Sequence, residues 1–163
     1  MTEKSKSFLK LAFLFALAFS YVGYQQFFAS EPNPDGLVEV VLTSPTGEMI
    51  SVKSEMATDD ASRARGLMYR RDLAINEGML FLWKEADKRS FWMKNTYIPL
   101  DMIFINGTNV VGVVQNAEPH TLTPRTVDAK ANAVLEVNAG FAKMYNIDDK
   151  WKVSFAISDV TVN

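Results

Sequence analysis

The chain contains no cysteine and a single histidine, His120, in 163 residues. The first absence removes disulfides, thiolate metal sites and a cysteine nucleophile together. The second removes any metal site that needs two imidazoles from one chain. A fold without cross-links has to hold by packing, and 48% apolar content is enough for the core of one domain. Positive charge is not in excess either. The net charge is -2, and setting aside residues 1–20, where Lys4, Lys6 and Lys10 outweigh Glu3 by two, brings it to -4. Domains that bind nucleic acid are usually basic, so a nucleic-acid partner is not expected. The chain also lacks a phosphate-binding P-loop, an H-E-x-x-H pair, an EF-hand loop and a G-x-S-x-G elbow. Nucleotide hydrolysis, zinc proteolysis and serine esterase chemistry therefore have no local support, and no cofactor or metal is expected.

The first feature that is present is a leader. Three lysines in Met1 to Lys10 are followed by an unbroken apolar run from Leu11 to Phe19, which is the order of an export signal. Cleavage after Ser20 puts small residues, Ala18 and Ser20, where a signal peptidase reads them. The aromatic-rich stretch Tyr21 to Phe28 equally allows an uncleaved anchor of about 20 residues, long enough to span a bilayer with the lysines left inside. The expected organisation is a signal peptide or membrane anchor at 1–29, a Pro/Asn spacer at 30–36 and one domain at 37–163. Its expected location is periplasmic or otherwise extracytoplasmic, either secreted or tethered.

Within the domain, short β-branched runs outnumber helical patterns. Leu37 to Thr43 and Met49 to Lys53 flank the turn residues Ser44-Pro45-Thr46-Gly47 and predict a hairpin. Thr58, with acids after it and arginines before Gly66, predicts a short capped helix. Strands are predicted at Gly78 to Trp83, Ser90 to Lys94, Leu100 to Ile105, Val110 to Gln115 and Ala133 to Asn138. The dipeptide Asn106-Gly107 suits a hairpin turn. Ala139 to Tyr145 predicts a second short helix, and Trp151, Val153, Phe155 and Ile157 alternate along a closing strand. No long helices separate the strands. The expected fold is mainly β within the α+β class: a curled antiparallel sheet or partly open barrel carrying one or two short helices.

Three segments carry a resemblance: Arg65-Gly66-Leu67-Met68, Gly78-Met79-Leu80-Phe81, and Phe91-Trp92-Met93-Lys94-Asn95-Thr96 running into Ile98-Pro99-Leu100-Asp101. Together with Val134-Leu135-Glu136-Val137 they resemble the DUF192 family of small prokaryotic domains. The resemblance implies a mainly β fold with a helix before the Arg-Gly-Leu-Met segment, often in an exported or lipid-anchored context. It implies no activity.

The polar residues embedded in these apolar segments, Arg65, Lys94, Asn95, Thr96, Asp101 and Glu136, together with the ring of Trp92, are the candidate ligand-binding set. Alternation puts Leu100, Met102 and Phe104 on one face and Asp101 with Ile103 and Ile105 on the other, so a carboxylate interrupts an apolar face. Two readings remain open. In the structural one, Arg65 forks onto Asp101 or Glu136 and Asn95 ties a turn. In the functional one, Arg65 and Lys94 hold an anionic or hydroxyl-rich ligand, Trp92 or Tyr97 supplies an apolar wall, and Asp101 orients hydroxyls. Met68, Met79, Met93 and Met102 sit in hydrophobic runs and read as core filler rather than copper ligands. The leading functional expectation is a tethered or exported module for a small polar or anionic ligand. An accessory subunit docking on a membrane or envelope protein complex is one alternative. A hydrolase using a carboxylate pair is the other, behind a non-enzymatic role.

Overall fold

A computed structural model describes residues 36–156. The predicted leader, the spacer up to residue 35 and Ile157 lie outside the described residues. Among the described residues no helix is long and apolar enough to cross a membrane.

Seven strands form a closed barrel: β1 (Val38–Thr43), β2 (Met49–Ala57), β3 (Glu77–Lys88), β4 (Leu100–Asn106), β5 (Asn109–Ala117), β6 (Lys130–Asn138) and β7 (Lys152–Phe155). Around the barrel their order is β1, β2, β3, β6, β4, β5, β7. Two short helices complete the domain, α1 (Asp60–Arg65) and α2 (Phe141–Met144). The mainly β expectation holds, and the sheet closes fully where the sequence predicts a curled sheet or partly open barrel. Closure comes from β7, which pairs with β1 from Val40↔Phe155 to Thr43↔Lys152 and touches β5 at Asn109↔Lys152. Every pairing is antiparallel except β2 with β3, which run parallel. A parallel neighbour needs a crossover. Here it is α1 and the loop after it, the stretch that builds the candidate site.

Local chemistry sets the boundaries. In the β1–β2 turn the Ser44 hydroxyl accepts from Glu48 N at 2.9 Å, and Gly47 takes a positive φ of 89°. Asp59, one residue after the expected Thr58, caps α1: its carboxylate accepts from Ala61 N and Ser62 N, both at 2.9 Å. Gly66 ends that helix with φ 47° and ψ -138°, a conformation that residues with a Cβ avoid. The predicted strand over Ser90 to Lys94 does not form. Only Phe91 bridges to Arg125, because this segment lies over the barrel as a loop and does not enter the sheet.

Strand alternation yields two apolar layers. Inside the barrel lie Val40, Leu42, Val52, Leu80, Ile103, Ile105, Leu135, Val137 and Val153. Outside it, the opposite faces of β3, β4 and β6 carry Met79, Phe81, Leu100, Met102, Phe104 and Val134, covered by Leu67, Met93 and Ile98 from the loops. This outer layer explains why β4 is buried on both faces. A fully buried phenylalanine such as Phe81 contributes about 2–3 kcal/mol by leaving water. The loops after α1 and after β3 thus bury apolar side chains on the outer face of the barrel.

Candidate functional site

The outer layer is interrupted by one carboxyl group. Glu136 lies on β6 in register with Met102 of β4 and Met79 of β3, so its side chain points to the outer face. It is 4% exposed. Among the described residues its carboxyl makes no hydrogen bond or ion pair. Burial pushes it up to about 8, because an ionised carboxylate loses its hydration there without a compensating partner. That burial favours the neutral acid, whose O–H can donate.

Above Glu136 opens a cleft of about 450 Å³, within the range of small-molecule sites. Its floor is Glu136 and Phe81. One wall is the Arg65-Gly66-Leu67-Met68 segment, and the other is Trp83, Phe91, Trp92, Leu122 and Pro124, with Ser90 and Thr96 between. The aromatic wall is braced from within. Phe91 meets Phe81 edge to face with centroids 5.1 Å apart, and Trp83 stacks on Phe81 at 6.4 Å. Arg63 and Arg89 lie over the Trp83 ring at 5.5 and 4.4 Å, fixing its orientation. Both guanidiniums are committed: Arg63 donates to Thr58 O, Leu82 O and Asp60, and Arg89 donates to Ala131 O and Glu85 O. Arg65 is exposed at the end of α1, and its guanidinium makes no hydrogen bond or ion pair among the described residues and remains available to an anion. Trp92, 50% exposed, offers ring surface to an occupant.

The structure brings four of the seven sequence candidates together here: Arg65, Trp92, Thr96 and Glu136. The other three stand elsewhere. Lys94 is exposed, with its ammonium 5.3 Å from the Trp92 ring centre. Asn95 has φ 55° and donates from Nδ2 to the Tyr69 hydroxyl at 2.9 Å, while Tyr69 N donates back to Asn95 O at 2.8 Å. Asn95 therefore ties a turn.

Asp101 is the clearest departure. It pairs in register with Val137, facing the barrel side of the sheet, whereas Glu136 faces outward. It is fully buried, and its two carboxylate oxygens accept from Asn116 N and Ala142 N, each at 2.8 Å. Gly140, the N-cap of α2, has no side chain with which to cap it, and Asp101 does so from a distant strand. Arg65 reaches neither carboxylate as the expected fork. Tyr97, the other proposed wall, turns away to lie 5.0 Å from the His120 ring and under Arg71.

Sequence reasoning missed Gly66 and the arginines 63 and 89, and offered Trp83 and Phe91 only as aromatics for docking on a partner, not as walls of a cleft. Gly66 was legible only as a helix stop. Its second role is spatial: a Cβ built on it comes 3.2 Å from Phe81 Cζ and 3.9 Å from Glu136 Oε2, so glycine keeps the floor uncovered. A second cleft, about 480 Å³, lies across the same segment and is lined by Glu55, Asp59, Ser62, Arg65, Gly66, Met68, Arg70 and Met79. Glu55 and Arg70 form an ion pair in it.

The described residues thus define a small, mainly β barrel with a cleft on its outer face. The DUF192 family model, described as Uncharacterized ACR, matches residues 41–155. The chain belongs to that family. No curated protein matches it. Among solved structures it is similar to a protein of unknown function from Novosphingobium aromaticivorans DSM 12444, at 38% identity and TM-score 0.71 over 77% of this chain and 94% of that one. It is also similar to a protein from Sinorhizobium meliloti 1021 proposed to be a transcription regulator, at 35% identity and TM-score 0.71 over 73% and 93% of the two chains.

Proposed function

We propose that this domain is an exported or membrane-tethered binding module that takes a small polar ligand in the cleft above Glu136. The observation that carries the reading is Glu136 itself: a buried carboxyl with no partner among the described residues, at the floor of an open cleft. A buried polar group without a partner costs about 1–3 kcal/mol. A ligand oxygen accepting from the protonated acid offsets that cost and is recognised by it. Arg65 adds a guanidinium for an anionic or hydroxyl-rich edge, and Trp92 adds a ring face. The basic-then-apolar leader supports a location outside the cytoplasm.

A hydrolase built on Asp101 and Glu136 loses its basis, since the two carboxyls face opposite sides of the sheet. Docking on a protein partner keeps one supporting observation: Trp92 and Leu122 stand exposed at the cleft rim. Native mass spectrometry of the protein purified from its own source separates these readings. The expected result is a bound small molecule that is lost from Trp92→Ala and Glu136→Met while both variants stay folded. Intact protein with no adduct in any preparation overturns the binding reading, and a co-purifying chain in place of the ligand favours docking.

A further inference from the structure

We infer that the two clefts form one groove and that its ligand is a chain of hydroxyl-bearing rings, an oligosaccharide, lying from Trp92 across Gly66 to the Glu55–Arg70 pair. This rests on the first cleft being the binding site. Arg65, Gly66 and Met68 line both clefts. Their floors also adjoin: Met79, under the second, is the in-register neighbour of Glu136, under the first. Paired side chains on one sheet face have Cβ atoms about 5 Å apart. Between them the dividing ridge is backbone alone at Gly66, whose φ of 47° with ψ of -138° bars other residues. Arg65 stands over both sides with its guanidinium uncommitted.

The lining chemistry alternates along this line. The first cleft presents the Trp92 face, the Glu136 carboxyl, Ser90 and Thr96, whose hydroxyl donates to Lys94 O and can still accept. The second presents the Glu55–Arg70 pair, beside Asp59 and Ser62, which are engaged in capping α1. A sugar unit carries an apolar ring face edged by hydroxyls that both donate and accept. It can stack on an indole and fork onto planar carboxylate and guanidinium groups in turn. A peptide strand is less well served, because its usual anchorage is a free sheet edge and this barrel is closed.

The test is calorimetric titration of the full chain with neutral and uronic-acid oligosaccharides of one to six units. The variants are Trp92→Ala and the double substitution Glu55→Gln/Arg70→Met. The replaced ion pair is partly exposed, so the fold should tolerate its loss, and melting curves check this. The expected wild-type result is affinity rising at least tenfold from two units to four. The double variant abolishes that rise, while Trp92→Ala weakens short and long chains alike. Equal affinity for short and long chains, or a rise that survives in the double variant, overturns the groove. Binding indifferent to Trp92→Ala instead overturns the first-cleft reading beneath it. Absence of binding by every glycan, with or without capture of a peptide, overturns the saccharide assignment.

Discussion

Replacing Glu136 with glutamine keeps the shape of the side chain and removes its titration, which turns the burial of this group into a measurable slope. The carboxyl has an ordinary value of 4.5 and is raised to about 8 by burial in the folded domain. Between those values the folded state holds a proton that the unfolded state has released, so the native state binds more protons and stability falls as pH rises. The slope is about 1.4 kcal/mol per pH unit. The stability tied to the neutral acid is fully present below about 4.5. It is lost progressively towards pH 8, where the accumulated loss reaches up to about 5 kcal/mol. Asp60, Arg63, Arg65 and Arg89 face the same cleft, but they are common to both proteins and cancel in the difference. Urea unfolding of the wild type and Glu136→Gln at half-unit steps from pH 4 to 9 supplies that difference. The wild type should lose ground to the variant steadily from pH 4.5 and level off near 8. A flat difference over this range would refute the reasoning, because it would mean that Glu136 ionises in the fold as readily as in the open chain.

Other outcomes follow from the same geometry. Asp101→Ala should destabilise by about 3–5 kcal/mol in denaturant unfolding, since two buried amides lose a charged acceptor. Asp101→Asn, which keeps one acceptor, should cost about half as much. Gly66→Ala should cost about 1–3 kcal/mol for its backbone alone, read as a lower melting temperature. Trp92→Ala should change stability by less than about 1 kcal/mol, its ring being half exposed, yet weaken ligand binding at least tenfold by calorimetry. Fractionation of source cells should recover the protein with the membrane or exported fraction; recovery solely from the cytosol would contradict the tethered reading.

Period-two patterns made much of the barrel legible from sequence. The alternation in Leu100 to Ile105 correctly divided Leu100, Met102 and Phe104 from Ile103 and Ile105, and the structure shows both sets buried, in different layers. The same pattern flagged Asp101 as a carboxylate on an apolar face. It could not name the partners, because Asn116 and Ala142 are backbone donors brought there by β5 and α2 from far along the chain. Ser90 to Lys94 looked like a strand for a related reason: its alternating Phe91 and Met93 do face apolar surface, but that surface is the outer layer and not the barrel. Of the candidate site, Arg65, Trp92, Thr96 and Glu136 converge because each sits inside an otherwise apolar segment that folds onto one layer. Lys94 and Asn95 share those segments but fall on the solvent side of a turn, a distinction of side that composition does not carry.

The claim that everything else leans on is a neutral Glu136 that donates a hydrogen bond from its O–H to a ligand oxygen. Carboxyl-carbon NMR of the full chain, with Glu136 assigned through its glutamine variant, reads that group alone across a pH titration. The predicted midpoint is about 8 in the free protein, rising further when the ligand captured from the source is present, since an acceptor favours the protonated form. A midpoint near 4.5 that the ligand leaves unmoved would contradict it.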